Sequence, residues 1–396
     1  MKRHILFIVE NNPVPWDVRV WNEATAAKEL GYDVSVICPR SSKSPSNYER
    51  ISDIDIYRHY TPLEAAGKLG FLLEYGNALF WEFLLSFYIY VKKPFQYIHA
   101  ANPPDHVFII ALFFKLLSVK FIFDHHDICP ENYLAKFSRK DFFYRLLRVM
   151  EKLTFRTTNL VISTNESYKR LAIHRGGKNP HEVFVVRNGP NLSQVNFKQP
   201  NSYLKEGFRH LVVYVGVIGN QEGIENLLAV AQYVVRQMNR KDIKFAIIGT
   251  GPDWQNMVDL SASMGLEHYV RFTGFIPYDD FYEYLATADV CVNPEFANAF
   301  TDKSTMIKIM DYMTFGKPII QFSTTEGQVT AQKASLYIQA NSIEIFAQKL
   351  TELLDDPERR HKMGLHGQRR IENELNWDKQ KSFLKAAYDY LDEVTV

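Results

Sequence analysis

Short, nearly continuous apolar runs rich in β-branched and aromatic residues recur along the chain, and longer stretches of helical periodicity separate them. In the first half the runs are "HILFIV" (4–9), "DVSVIC" (33–38), "IDIYRH" (54–59), "QYIHA" (96–100), "KFIFD" (120–124), "LVIST" (160–164) and "VFVV" (183–186). The second half has "LVVYVG" (211–216), "KFAIIG" (244–249), "VRFTG" (270–274), "DVCVN" (289–293), "KPIIQF" (317–322) and "SLYIQ" (335–339). Unbroken apolar strands alternating with helices predict parallel sheets covered on both faces, an α/β fold. The pattern breaks between 187 and 208 in a polar stretch rich in Asn, Pro and Ser, and a new strand begins near His210. This predicts two Rossmann-like domains, 1–195 and 196–376. The last segment, 377–396, reads as a helix able to pack back on the first domain.

In open α/β sheets ligands bind beyond the carboxyl ends of the strands, and the cleft between two such domains is the default site. The segment "DKSTMIKIMDYMTFGKPII" (302–320) occupies such a place, between two predicted strands. At about 100° per residue, Ser304, Lys308 and Asp311 share one narrow arc, while Met306, Ile309, Met310 and Met313 lie opposite. Asp302 or Ser304 is expected to cap the helix. Its free N–H groups and dipole suit a diphosphate, Lys308 adds a point charge, and Asp311 is placed to accept from a ribose diol. An ordinary amphipathic helix with a solvated face fits the spacing equally well. Glycines follow three predicted strands directly: Gly216, Gly219 and Gly223, then Gly249 and Gly251, then Gly274. Each lets backbone approach a bulky ligand.

In the first half, "FDHHDICPENY" (123–133) gathers Asp124, His125, His126, Asp127 and Glu131 after a strand. No metal is expected there, because adjacent residues on a turn diverge and no spaced partner completes a coordination sphere. A catalytic or sugar-positioning cluster around His126 and Asp127 is the functional reading. A turn bonding its own backbone is the other. Asn102 in "HAANPPD" should lie beside this cluster. The loop "ENNPVPWDVRVWNEA" (10–24) offers Asn11 and Asn12, with Arg19 and Glu23 one turn apart on the next helix. Arg19 is either an acceptor-site residue or half of a structural ion pair.

Composition narrows the partners. Over 396 residues the formal net charge is +1, which gives nucleic-acid binding no support. Cys38, Cys129 and Cys291 form no C-x-x-C and fit a reducing, cytoplasmic compartment. The N-terminus has too short an apolar run for a signal peptide, and Glu74, Asn77 and Glu82 interrupt the long apolar stretch 69–91. A basic amphipathic helix is predicted over 135–156, suited to an anionic surface on the inner face of a membrane or to plain solvent. Asp53 and Asp55 form a D-x-D, read as solvent-facing positions of a strand.

These motifs resemble those of nucleotide-sugar-dependent glycosyltransferases of the GT-B fold. The chain is similar to the family-four group of retaining enzymes that build bacterial surface polysaccharides, from "VRVWNEATAAKELGYDVSVIC" through "NPPD", "FDHHDICPE", "YVGVIG" and "FTGFIP" to "STMIKIMDYMTFGKPIIQF". The resemblance implies a donor-binding second domain and an acceptor-binding first domain. It gives Asp311 the second acidic position of the family's E-x7-E motif, Ser304 and Thr305 the diphosphate, the backbone of Phe275 and Ile276 the base, and His126 a place near the reacting sugar. The chain departs from the pattern at Lys303, where the first acid is expected, so Asp302 or Glu295 would have to replace it. It departs again at Val217, Ile218 and Glu222, where basic residues are usual; Lys308 or Lys303 would then carry the leaving-group charge. The implied reaction moves a sugar from a nucleotide-diphosphate donor, a UDP-sugar by preference, to a glycan or polyprenyl-diphosphate-linked acceptor, without metal or a separate cofactor. An epimerase or phosphorylase of the same fold, or a non-catalytic nucleotide-sugar-binding component of an assembly complex, are the alternatives.

Overall fold

The computed structural model describes residues 2–42, 44–60 and 68–393, with the backbone alone over 68–73. The first residues of the apolar stretch, 69–73, are therefore described by their backbone only, and the last three residues of the predicted C-terminal helix, 394–396, lie outside the described residues. The chain divides into two compact units, 1–188 with 380–396, and 189–379. The break falls at Asn188, ahead of the predicted 195.

The first unit holds β1 (His4–Ile8), β2 (Asp33–Pro39), β3 (Tyr48–Ile51), β4 (Ile54–His59), β5 (Tyr97–Ala101), β6 (Lys120–His125), β7 (Leu160–Ser163) and β8 (Val183–Val185). Their order across the sheet is β3-β4-β2-β1-β5-β6-β7-β8. All pairings are parallel except β3 with β4. Leu6, Ile8, Ile98, Phe121 and Val161 are buried on one face under helices, which explains the unbroken apolar runs. The C-terminal helix Trp377–Glu393 belongs here through Tyr388, whose hydroxyl lies 3.0 Å from His99 Nδ1.

β3 has no counterpart in the sequence reading. Its residues "YERI" are exposed or only half-buried, so no apolar alternation marks them. Its tight turn to β4 uses Ser52 and Asp53, both with positive φ. Asp53 therefore sits in a turn, pairing with Arg50, and only Asp55 lies in the strand, accepting from the Tyr48 hydroxyl at 2.8 Å.

The expected single helix over 135–156 is two. Helix Cys129–Phe137 ends at Ser138 in the left-handed region, and helix Phe142–Thr157 restarts with the Asp141 carboxylate accepting from the Phe143 and Tyr144 amides. Among the described residues no helix is long and apolar enough to cross a membrane.

The second unit holds β9 (His210–Val215), β10 (Ile243–Ile248), β11 (Val270–Gly274), β12 (Val290–Asn293), β13 (Ile319–Phe322) and β14 (Ser335–Ile338), all parallel, in the order β11-β10-β9-β12-β13-β14. Chain direction across the sheet reverses between β9 and β12. That switch point is where open α/β sheets leave a crevice.

Candidate functional site

The glycine turns converge at the carboxyl edge of the second sheet. The Gly216 amide donates to Ile248, Ile218 to Thr250 and Gly249 to Gly274, so the turns after β9, β10 and β11 are laced together. A Cβ on Gly249 would stand 1.9 Å from the Gly216 carbonyl, and one on Gly251 2.4 Å from that of Ile218. Only glycine lets these backbones pack so closely. Gly219, in contrast, faces open space. Phe275, after β11, is largely exposed, and Ile276 packs on the sheet.

The helix carrying Lys308 and Asp311 runs over Ile307–Thr314, later than expected, and no side chain caps it. Asp302 is engaged elsewhere: its carboxylate accepts from the Thr325 amide at 2.8 Å and hydroxyl at 2.9 Å. The Ser304 hydroxyl donates to the Phe300 carbonyl at 2.9 Å. Residues 301–303 form a turn, and an irregular stretch, 304–306, places Ser304 and Thr305 just ahead of the helix. The Lys303 ammonium donates to the Ala299 carbonyl.

Lys308 is not on a solvated face. Its ammonium donates to Glu222 Oε2 and Glu295 Oε1, both at 2.7 Å, and to the Tyr214 hydroxyl at 3.1 Å. Glu222 follows β9 and Glu295 follows β12, so the cluster bridges the two sides of the switch point. Burial opposes the charge on Lys308, but the carboxylates of Glu295 and Glu222 win and hold its pKa well above the usual value. Burial pushes Glu295 up, to about 7, against the pull of Lys308. Thus the cation expected to face phosphate is already shared by two acids, and Glu295 is its partner. Asp311 differs. Burial alone pushes its carboxyl up to about 7, and among the described residues nothing donates to it. Its oxygens remain available to a ligand's hydroxyls.

In the first unit the turn after β6 is built around Asp124, fully buried. Arg19 grips it with Nε at 2.8 Å and Nη2 at 2.6 Å, donates to the Val186 carbonyl and to Asn188, and stands 3.0 Å from Glu23. With four hydrogen bonds and a second carboxylate, Arg19 has no free face for an acceptor; it is a structural ion pair. Asp124 does approach Glu23 and His99 closely enough to suggest a metal set, yet the Arg19 guanidinium already bridges the two carboxylates.

His126 receives the benefit. Its Nδ1 lies 3.3 Å from Asp124 Oδ2. Burial works against the imidazolium, but the Asp124 carboxylate outweighs it and the pKa is raised. His125 is a core residue, pressed against Phe123, Phe155 and Tyr168, and burial lowers it to about 3.

Three further expectations need correction. Asp127 turns to its own backbone, accepting from the Ile128 amide at 2.7 Å and from Asn132. Asn102 is 1% exposed; its Oδ1 accepts from the amides of His126 and Asp127, and its Nδ2 donates to Asp105 and the Asp127 carbonyl. It locks the His126 turn without reaching solvent. Glu131 is paired with Arg175 and is part of the same ion-pair group as Glu151. Adjacent polar residues in a sequence look equally available; tertiary partners decide which are. Asn11 and Asn12 are exposed in the loop after β1.

A cavity of about 770 Å³ that the sequence did not reveal opens between β3, β4 and the helix Lys68–Lys92. Arg40, Tyr57, Tyr60, Trp81 and Tyr88 line it. These residues come from distant segments, so no local motif marks them.

Comparison with known proteins places this architecture. Residues 17–194 match the family model "Glycosyltransferase Family 4", and residues 209–356 match "Glycosyl transferases group 1". The chain belongs to the GT-B glycosyltransferases. It is 23% identical over 85% of its length to an uncharacterized glycosyltransferase of Haemophilus influenzae, 86% of which is covered. It is 22% identical over 61% of its length to a capsular polysaccharide biosynthesis glycosyltransferase, CapM, of Staphylococcus aureus, 66% of which is covered. Among solved structures, sucrose-phosphate synthase from Thermosynechococcus elongatus superposes with a TM-score of 0.80 at 16% identity, covering 99% of this chain and all of the other. HepE of Anabaena in complex with UDP-glucose gives 0.74 at 15%, covering 98% and 99%. In this glycosyltransferase the switch-point cluster of the second unit and the His126 turn of the first are the two candidate sites.

Proposed function

We propose that the protein transfers a sugar from a nucleotide-diphosphate donor to a hydroxyl of a glycan or lipid-linked acceptor, with retention and without metal, in the synthesis of a cell-surface polysaccharide. The observation that carries this reading is Asp311: a carboxylate without a donor of its own, held against the cost of burial, one helical turn from the Lys308 cluster at a sheet's switch point. Ribose hydroxyls would supply the missing donors. The turns after β9 and β10 and the uncapped start of helix Ile307–Thr314 would receive the diphosphate through backbone N–H groups, with Lys303 nearby. The exposed Phe275 and the backbone of Ile276 would meet the base. The structures of HepE with UDP and UDP-glucose, and the capsular polysaccharide role of CapM, support donor class and context.

In the first unit, His126 would lie near the reacting sugar, its ring oriented by Asp124 and Arg19. The departing phosphate would take the acceptor proton on the face it leaves, which gives retention. The aromatic cavity and the Asn11–Asn12 loop would receive the acceptor; aromatic walls suit sugar faces, and Arg40 suits an anionic group. A peripheral position on an anionic inner membrane surface fits Phe137, Phe142 and Val149, exposed among Lys136, Arg139, Lys140, Arg145 and Lys152. Sedimentation with liposomes should then require anionic lipid and fade with salt; binding that ignores salt would remove the membrane from the account.

The reading is tested by incubating the protein with a panel of nucleotide sugars and following donor consumption and calorimetric binding. Saturable binding of one donor class, lost in Asp311→Ala at normal stability, is expected. Absence of binding to every nucleotide sugar would exclude it.

A further inference from the structure

A second buried group of acids and histidines lies in the first unit, away from the His126 turn. Glu10 follows β1, His59 ends β4, Glu82 sits inside helix Lys68–Lys92, and His106 follows β5. Ligand atoms of Glu10, Glu82 and His106 all lie within 4.8 Å of one another. Glu82 is 0% exposed, and neither of its oxygens accepts a hydrogen bond. Glu10 Oε2 and His106 Nε2 approach to 3.1 Å yet make no hydrogen bond with each other. His59, 2% exposed, turns Nε2 toward Glu82 Oε1 at 3.9 Å, again without a bond, while its Nδ1 lies 3.5 Å from the Tyr60 carbonyl.

Three carboxylate oxygens, both of Glu82 and Oε2 of Glu10, are withdrawn from water without donors, which costs several kcal/mol unless a cation or protons compensate them. The Arg19 group shows what compensation looks like in this unit: there a guanidinium bridges Glu23 and Asp124. Around Glu10 and Glu82 no described Lys or Arg plays that part, and the adjacent Glu74 adds further negative charge. Ligands bonded to one ion at about 2.0–2.2 Å stand roughly 3.0–3.4 Å apart, close to the spacing of Glu10 and His106 and too misaligned for a hydrogen bond between them. An imidazole whose other nitrogen faces a backbone carbonyl is also the usual state of a metal-ligating histidine.

We propose that Glu10, Glu82 and His106, with His59 as a fourth ligand, bind a divalent transition-metal ion. Mixed imidazole and carboxylate donors suit zinc or manganese. The ion would tie the loop carrying Asn11 and Asn12 to helix Lys68–Lys92 and to the segment after β5. It takes no part in sugar transfer, and its test does not depend on that reaction.

The test is equilibrium dialysis of the full chain, freed of metal by chelation, against micromolar Zn2+ or Mn2+, followed by metal analysis and thermal unfolding. One ion per chain and a rise in melting temperature with metal concentration are expected. Glu82→Gln and, separately, His106→Gln should each weaken binding by at least about tenfold; His106 reaches the surface, so its variant covers the case where Glu82→Gln does not fold. Substoichiometric uptake of both metals by the wild type, or uptake unchanged in the variants, would overturn the assignment, the latter marking adsorption to surface histidines.

Discussion

Replacing Asp311 by asparagine keeps the shape of the side chain and removes its charge. In the folded protein burial lifts this carboxyl to about 7, against about 3.9 in an unfolded chain. Between those values the folded state holds a proton that the unfolded state has released, so stability falls as pH rises through that window. At about 1.4 kcal/mol per pH unit the full gap is worth at most about 4 kcal/mol, and the solvent contact that Asp311 retains lowers this to roughly 2–4 kcal/mol. Asp311→Asn escapes the loss. Urea unfolding at pH 5 and pH 8 should therefore show the variant gaining on the wild type by about 2 kcal/mol between the two conditions. The same substitution should weaken nucleotide-sugar binding by about tenfold, because an amide accepts from a diol less strongly than a carboxylate. A stability difference that does not change with pH, or a wild type that gains as pH rises, would refute the reasoning. The paired outcome, more stable but poorer at binding, is what a site retained for function predicts.

Lys308→Met leaves Glu222 and Glu295 facing each other and should cost about 3–5 kcal/mol in urea unfolding, with much of it recovered in the Lys308→Met/Glu295→Gln double variant; a cost below about 1 kcal/mol would mean the cluster is solvated. Gly251→Ala should abolish nucleotide-sugar binding or folding, since its Cβ meets the Ile218 carbonyl, whereas Gly219→Ala should be silent in calorimetry; equal behaviour of the two would contradict the turn geometry. Arg19→Lys exchanges a fork for a single ammonium at Asp124 and should cost about 3 kcal/mol at pH 7 while raising the His126 pKa seen by NMR, because the Arg19 charge opposes the imidazolium and competes for Asp124. An unchanged histidine titration would separate Arg19 from the His126 turn.

The fold was legible because its strands are buried on both faces, and such strands announce themselves by composition alone. β3 was not, since an exposed edge strand carries no apolar signature and its turn uses Ser52 and Asp53 without a glycine. The break at Ser138 escaped for a related reason: the periodicity continues across it, and only the Asp141 cap records the restart. At the carboxyl edge of the second sheet the strand-then-glycine pattern and the Lys308–Asp311 spacing were readable locally. The partners of Lys308 were not, since Glu222 and Glu295 come from loops separated from it in sequence and joined only by sheet order. The same holds in the first unit, where Arg19, Asn102 and Glu131 each had a suitable chemistry and each proved committed to a buried partner. Sequence shows which groups are capable; packing shows which are free.

The most direct test of the central claim is calorimetric titration of the full chain with UDP-sugars and GDP-sugars, alongside Asp311→Ala. The account predicts saturable binding of one nucleotide class to the wild type and a loss of at least tenfold in the variant at unchanged fold. Equal affinity in both proteins would contradict it.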